Sequence, residues 1–399
     1  MDRNINRKPM VSVVILTYRN YNYVFDTLSS VFTQTYPNIE LIISDDGSPQ
    51  FPVDDIEAYV EANKKENIKN VLVNCEKINQ GTVKHLNKTI SLASGEYLVF
   101  LAGDDIFASS EVLQNYISNF QASSDKYLIQ MAQTAMYDNS LTKLESYYCR
   151  PDVENMLYEN DFSGLLEKLC LYPCLPSTST CFSRAFFQEW GLFDENYILI
   201  EDWPLHLKLA KEKCPILYDN FIAIKHRHGG ISHGAKDALS VTQSKYYADI
   251  RNIHRQIIIP VLPMIATEGR KRILNQIYSE DKWIEWILSK QSGKIAILKY
   301  MIKYPLHTVK TGLVKFNERY KILFSNLIKL GFTLFILYLL CGPMLWPLSD
   351  SLSINLVGTV VCVVAKLSLS LGVIGRICCF GGEIITKLET FPYSCLYID

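Results

Sequence analysis

Charge of one sign is missing from this 399-residue sequence: 40 Lys and Arg stand against 41 Asp and Glu. That balance gives no support for nucleic acid as a general partner. Paired cysteine spacing is missing as well. The 11 cysteines are scattered; Cys170, Cys174 and Cys181 have no CxxC partner, and Cys378 and Cys379 are adjacent. Neither a zinc site nor a disulfide framework is indicated, and free thiols in a reducing cytosol are expected. Internal repeats and low-complexity tracts are absent, which sets aside repeat arrays. The polar start "MDRNINRKPM" leads directly into a strand, so no cleavable signal is expected. A chain of this length has room for two or three domains with a sizeable core.

What is present is an alternation of strand and helix. Val11–Thr17, Leu41–Ser44, Val71–Asn74 and Tyr97–Leu101 are short apolar or β-branched runs and read as strands. Between them, Tyr23–Gln34, Val53–Lys65 and Thr82–Leu92 carry helical spacing, and a further helix is expected to begin at Ser109 or Ser110. The pattern predicts an α/β fold with a doubly wound, mainly parallel sheet, whose ligands bind at the carboxyl ends of the strands.

Four of those ends carry polar groups: Tyr18, Arg19 and Asn20 after the first strand, Asp45 and Asp46 after the second, Asn79 and Gly81 after the third, Asp104 and Asp105 after the fourth. Each turn alone is explained by good turn formers. Two adjacent carboxylates such as Asp104–Asp105 repel one another, so they serve either as a loop or helix cap or as the holder of a divalent cation carrying a phosphorylated ligand. Glu201 and Asp202 repeat the theme. They follow an apolar "NYILI" run read as a strand and open a helix, so they either suit the helix dipole or do chemistry.

The segments "PMVSVVILTYRN", "LIISDDGS", "NQGTVKHLNKTI", "ASGEYLVFLAGDD", "GLFDENYILIEDWPLHLKLA" and "HRHGGIS" occur in the order found in glycosyltransferase family 2, with the GT-A fold, and the resemblance covers about residues 9–235. It implies a nucleoside diphosphate sugar donor, with UDP as the commonest base. Asp45 would accept from the base, Tyr18 would pack near it, and Thr17, Asn79, Gly81, Lys84 and Asp104 would complete the nucleotide site. The resemblance further places Mn²⁺ or Mg²⁺ on Asp105, with His228 reaching the diphosphate or the metal and Ser232 nearby. Asp202 matches the family's general base in an inverting, in-line displacement, with Glu201 beside it. Ser177 and Thr178, in the Pro-bracketed "YPCLPSTSTCFSR", are the acceptor candidates. Four positions depart from the family pattern. Ala102 replaces its first metal-motif Asp, Leu86 its Arg, and Lys225–His226 its Tyr-Arg pair. Either Lys84 or His85 supplies the charge missing at Leu86, or the donor preference is altered.

Beyond residue 238 the composition changes. From 239 to 330 helices are expected, interrupted by Pro260, Pro263 and Pro305. Between Lys290 and Lys329, nine basic residues (290, 294, 299, 303, 310, 315, 319, 321, 329) face the single acid Glu318, interleaved with Ile295, Leu298, Ile302, Leu306, Val309 and Leu313. This is either a solvated helical face or, preferably, a surface for anionic membrane lipid. Residues 331–399 form an apolar region: Gly331–Leu348 is 18 residues without a charge, and Leu352–Gly375 is broken only by Lys366. A membrane hairpin with both ends on the cytoplasmic face is expected, spanning or re-entrant.

Together these features predict a metal-dependent glycosyltransferase on the cytoplasmic face of a bacterial membrane, with a lipid-linked or polysaccharide acceptor, as in lipopolysaccharide or capsule assembly. The rivals are a sugar nucleotidyltransferase, disfavoured because no Gly-rich loop with Arg and Lys follows the first strand, and a non-catalytic membrane-anchored subunit, disfavoured by intact Asp105 and Asp202.

Overall fold

A computed structural model describes residues 8–123, 126–227, 241–291 and 294–304. The chain divides into two compact units, Met1–Asp281 and Lys282–Asp399. The first unit opens with β1 (Val11–Thr17), α1 (Val24–Phe32), β2 (Ile39–Asp45), α2 (Val53–Asn63), β3 (Ile68–Cys75), α3 (Thr82–Leu92) and β4 (Tyr97–Ala102). These are the expected alternations, and α3 has the bounds the sequence predicted. The next helix begins later than expected. After β5 (Ile106–Phe107), α4 runs Val112–Ala122, because Gln34 holds the intervening turn by donating to the Ser109 carbonyl (2.7 Å) and accepting from the Leu113 N–H (3.2 Å).

The chain continues through β6 (Ile129–Tyr137), β7 (Leu144–Tyr147), α5 (Pro151–Glu159), α6 (Phe162–Leu169), β8 (Thr180–Ser183), α7 (Arg184–Trp190), α8 (Asp202–Lys211) and β9 (Leu217–Arg227). The strand order is β3-β2-β1-β4-β8-β6-β9-β5, with β7 on β6. Pairs β1–β2, β2–β3, β1–β4 and β6–β9 are parallel, whereas β4–β8, β6–β8, β5–β9 and β6–β7 are antiparallel. The sheet is therefore mixed, a GT-A-like arrangement, rather than mainly parallel. Its parallel half is built by helical crossovers, and β8 turns the ladder round against β4.

Both faces of the parallel half are covered, which explains the unbroken apolar runs. Along β1 and β2, Val13, Ile15, Leu41 and Ile43 pack with Val31, Ile56 and Ile117 from α1, α2 and α4. The alternate residues Val14 and Ile42 pack with Val83, Leu166 and Leu207 from α3, α6 and α8. Burying each such side chain stabilises the fold by about 1.5–3 kcal/mol. The register is flush at the functional edge: Thr17 lies opposite Asp45, Asp45 opposite Cys75, and Leu16 opposite Ala102.

Helix α9 (Val241–Ile253) passes through a π-helical turn, His254–Ile258, into α10 (Ile259–Val261), and α11 follows at Thr267–Gln291. Within the first unit, Ile253, Ile258, Val261, Ile273 and Ile277 join the same core as α3 and α8. Buried His254 anchors α11, its Nδ1 lying 3.1 Å from Asp281 and its Nε2 3.3 Å from Glu280.

In the second unit, residues 282–291 complete α11 and α12 spans Lys294–Lys303. Tyr300 is buried beside Trp286, with ring centroids 5.1 Å apart, and Lys303 pairs with Glu285 at 2.9 Å. Ile295, Leu298 and Ile302 are left exposed, at 74%, 57% and 73%. No helix among the described residues is long and apolar enough to cross a membrane. The expected apolar hairpin, residues 331–399, lies outside the described residues, as do His228 and Ser232.

Candidate active site

The β1 and β2 ends meet as their register requires. Asp45 is 1% exposed and accepts from the Thr17 hydroxyl (2.9 Å), the Ser48 hydroxyl (2.6 Å) and the Ser48 N–H (2.6 Å). Thr17 and Asp45, both expected in the nucleotide site, are thus one hydrogen-bonded unit. Tyr18 is half-buried, with the exposed Arg19 guanidinium 5.2 Å from its ring centre, and Arg19 holds a left-handed φ of 60° while donating its N–H to Ser48. A non-glycine residue in that region costs roughly 1 kcal/mol or more and is often found at functional sites.

Asp46 holds the third loop. Its two oxygens accept the N–H groups of Gln80 and Gly81, each at 2.9 Å, and burial pushes its carboxyl up. Gly81 is the N-cap of α3 with φ 92° and has no side chain of its own, and Asp46 fixes the chain entering the helix by holding the N–H groups of Gly81 and of Gln80 before it. Gly47 is required by close approach, since an added Cβ would lie 2.8 Å from the backbone of Ile78 and Asn79. Asn79 is half-buried in this loop and Lys84 is exposed on the first turn of α3. His85 does not supply a cation. It is buried, burial lowers its pKa, and its Nε2 lies 2.7 Å from the Ser44 hydroxyl; Leu86 packs in the core.

The fourth strand end carries Asp104 and Asp105. Asp104 is half-buried, accepts from the Asn20 amide at 3.2 Å, and has its pKa raised by burial and then by Asp105. Asp105 is fully buried. Its Oδ2 lies 2.9 Å from His226 Nδ1 and its Oδ1 accepts from the Arg227 N–H at 3.2 Å. Two adjacent carboxylates with mutually unfavourable charge are a donor set that fits a hard divalent cation. The accessible oxygens belong to Asp104; a cation on Asp105 would share or replace the His226 contact. Among the described residues no group of three or more His, Cys, Asp or Glu side chains is arranged to hold a metal ion.

Arg227 was not singled out from the sequence, yet it ties the site together. Its guanidinium donates to the Asp104 carbonyl (2.8 Å), the Asn139 carbonyl (2.7 Å) and Asp26 (2.6 Å), and it stacks 4.0 Å over the Tyr23 ring. It thereby fixes the β4 carboxylate turn to α1. Its partners are far apart in sequence, so no local pattern marks it.

Asp202 stands at the first position of α8 and Glu201 at its N-cap, both half-buried. The preceding segment is not the strand the sequence suggested: residues 194–200 form turns. The Ile198, Leu199 and Ile200 N–H groups point at the Asp249 carboxylate instead of a neighbouring strand. The same segment reaches the Gln80–Gly81 loop, where the Ile198 carbonyl accepts from the Val83 N–H at 3.2 Å and packs against Gly81. The general-base candidate and the Asp46-held loop are therefore joined through Ile198. Burial, then Asp202, pushes the Glu201 carboxyl up to about 8. Two tyrosines absent from the sequence reading border this pair. Burial and then Asp202 raise the pKa of both, Tyr246 to about 12, and the Tyr148 hydroxyl donates to the Pro173 carbonyl at 3.2 Å. Ser177 and Thr178 are half-buried in a short 3₁₀ turn before β8, with the Thr178 hydroxyl 3.0 Å from that of Thr134.

Residues 12–189 match the family model described as glycosyl transferase family 2. An uncharacterized glycosyltransferase of Haemophilus influenzae is 22% identical over 310 residues, covering 75% of this chain and 92% of that protein. The putative teichuronic acid biosynthesis glycosyltransferase TuaG of Bacillus subtilis is 35% identical over 100 residues, 25% of this chain and 38% of that protein. The solved structure of S. aureus TarS 1–349 in complex with UDP-GlcNAc aligns with a TM-score of 0.47 at 16% identity, covering 73% of this chain and 79% of that one. The chain thus spans nearly all of the H. influenzae protein and little more than a third of TuaG. The family match opens on β1 and runs past the β4 carboxylates into α7, so residues 12–189 carry the glycosyl transferase family 2 domain.

Proposed function

We propose that this protein transfers a sugar, with inversion, from a nucleoside diphosphate sugar to a lipid-linked or polysaccharide acceptor at the cytoplasmic face of a bacterial membrane. The observation that carries this reading is the convergence on one sheet edge of Thr17–Asp45, the Asp46-held Gly81 loop and Asp104–Asp105, with Asp202 tied to that loop through Ile198. Asp45 and Tyr18 hold the nucleoside, UDP being the favoured donor base. Asp202 accepts the proton of the acceptor hydroxyl as its oxygen attacks the anomeric carbon and the diphosphate leaves. Burial and then Asp202 push the Glu201 carboxyl upward, which favours its protonated form, so Asp202 is the member of the pair assigned the base role. Mn²⁺ or Mg²⁺, when bound at Asp105 with Asp104 adjacent, would neutralise charge on the leaving diphosphate. Ser177, Thr178 and Tyr148 line the acceptor side.

The donor is tested by thermal shift and nucleotide release. With Mn²⁺ present, one nucleoside diphosphate sugar should stabilise the full chain by about 2.7 kcal/mol at a hundredfold excess over Kd. The same compound should slowly release nucleoside diphosphate to water. No shift and no release from any UDP or GDP sugar would overturn the reading.

Membrane association rests on α12, whose exposed Ile295, Leu298 and Ile302 lie beside exposed Lys299 and Lys303. Basic amphipathic helices of this kind seat their apolar face at an anionic surface, at about 1 kcal/mol per Lys. Sedimentation with phosphatidylglycerol vesicles should capture the full chain, and the Ile295→Glu/Ile302→Glu variant should bind several-fold less. Equal capture of both would remove α12 from the contact.

A further inference from the structure

We propose that Asp249, on α9 and outside the family-matched segment, is the positioning residue for the catalytic carboxylate. The inference rests on the reading of Asp202 as the base. Asp249 is 2% exposed, and a single carboxylate oxygen, Oδ2, accepts three consecutive backbone N–H groups: Leu199 at 2.7 Å, Ile198 at 2.9 Å and Ile200 at 3.3 Å. Three convergent donors on one buried anion are charge-assisted bonds, stronger than neutral ones, and they fix the path of the backbone that carries them. The next two residues are Glu201 and Asp202. No strand or helix holds residues 194–200, so without Asp249 three buried or half-buried N–H groups lose their acceptor at once.

The clamp also has direction. Ile198 is gripped on its N–H by Asp249 and on its carbonyl by the Val83 N–H at the start of α3. The segment is thus stretched between α9 and the donor loop, and the distance from Asp202 to the donor is set by both grips. The donor loop itself does not depend on Asp249, because Asp46 holds Gln80 and Gly81 independently. Removing Asp249 should consequently misplace the base and leave donor binding intact. A displacement of about 1 Å can cost on the order of 10²-fold in rate.

The test uses the full chain as wild type, Asp249→Ala and Asp249→Asn, with whichever UDP or GDP sugar the wild type turns over and water as acceptor. Asp249→Ala should lower kcat for nucleoside diphosphate release by roughly 10–100-fold at unchanged donor KM. Asp249→Asn keeps an accepting oxygen and should recover much of that loss. Amide hydrogen exchange should accelerate at residues 198–200 in both variants. Wild-type kcat in both variants overturns the proposal. So does a fall in kcat matched by an equal rise in donor KM, which would mark a general loss of the fold. If the Ala variant does not fold, the Asn variant decides alone by exchange: acceleration at residues 198–200 at constant donor KM supports the clamp, and wild-type exchange there refutes it. If the wild type turns over no donor, the transferase reading fails, and the clamp is judged by exchange at 198–200, where no acceleration refutes it.

Discussion

Asp202→Asn lowers sugar transfer by about 10²–10⁴-fold while nucleotide affinity stays near wild type. An acceptor hydroxyl is a poor nucleophile until its proton leaves, and the amide keeps the shape of the side chain without its basic oxygen. The residues proposed to hold the nucleoside sit elsewhere, on Thr17–Asp45 and the Asp46-held loop, so donor binding has no reason to follow. Glu201→Gln is the informative neighbour. Burial and then Asp202 push its carboxyl upward, which favours the protonated form, and the neutral amide resembles that form. A mild effect is expected. The pair is read by kcat for transfer beside a nucleotide titration. Loss of transfer in Glu201→Gln with retention in Asp202→Asn would place the base one residue away. Full activity in both would reduce this helix start to a cap.

The difference between those two carboxylates could not be read from their order in the chain. Their helix could be. Pro204 near its start announced α8, although Leu205, Leu207 and Leu209 alternate at a spacing of two, whereas Val83, Leu86 and Ile90 announced α3 by helical spacing, because core-facing periodicity is a local property. The strand ends were legible for a related reason. Short β-branched runs stop at polar turns, and in a parallel sheet those stops fall on one edge, so Thr17, Asp45 and Asp104–Asp105 were placed together before their distances were known. The antiparallel half was not legible. β8 is four residues long and pairs with both β4 and β6, and nothing in "TCFS" says which neighbours or which direction it takes. The residues missed at the site share one feature. Arg227 reaches Asp26 across 201 positions and Asp249 reaches Ile198 across 51. Each is a single side chain completing backbone or carboxylate contacts from afar, and periodicity carries no trace of such a bond.

Asp105→Asn removes most Mn²⁺-dependent nucleotide binding, by roughly 100-fold, and leaves the metal-independent part in place. A hard divalent cation takes oxygen ligands and prefers anionic ones; exchanging a carboxylate for a neutral amide removes that preference at its strongest point. Even residues that only support a ligand typically cost 10–100-fold in metal affinity when changed, so a ligand should reach the top of that range. The geometry supplies the control. Asp105 also accepts from the Arg227 N–H and lies against His226, so the substitution disturbs a fully buried contact as well as a cation site. Nucleotide titrations with Mn²⁺ and with chelator separate the two effects, because Thr17, Asp45 and Ser48 belong to other strand ends and act in both conditions. A loss confined to the Mn²⁺ titration assigns the cation to Asp105. An equal loss in both titrations, with a lower melting temperature, would make Asp105 a brace for the His226–Arg227 segment instead. Unchanged Mn²⁺ dependence would leave Asp104, with the more accessible oxygens of the pair, as the carboxylate that meets the cation.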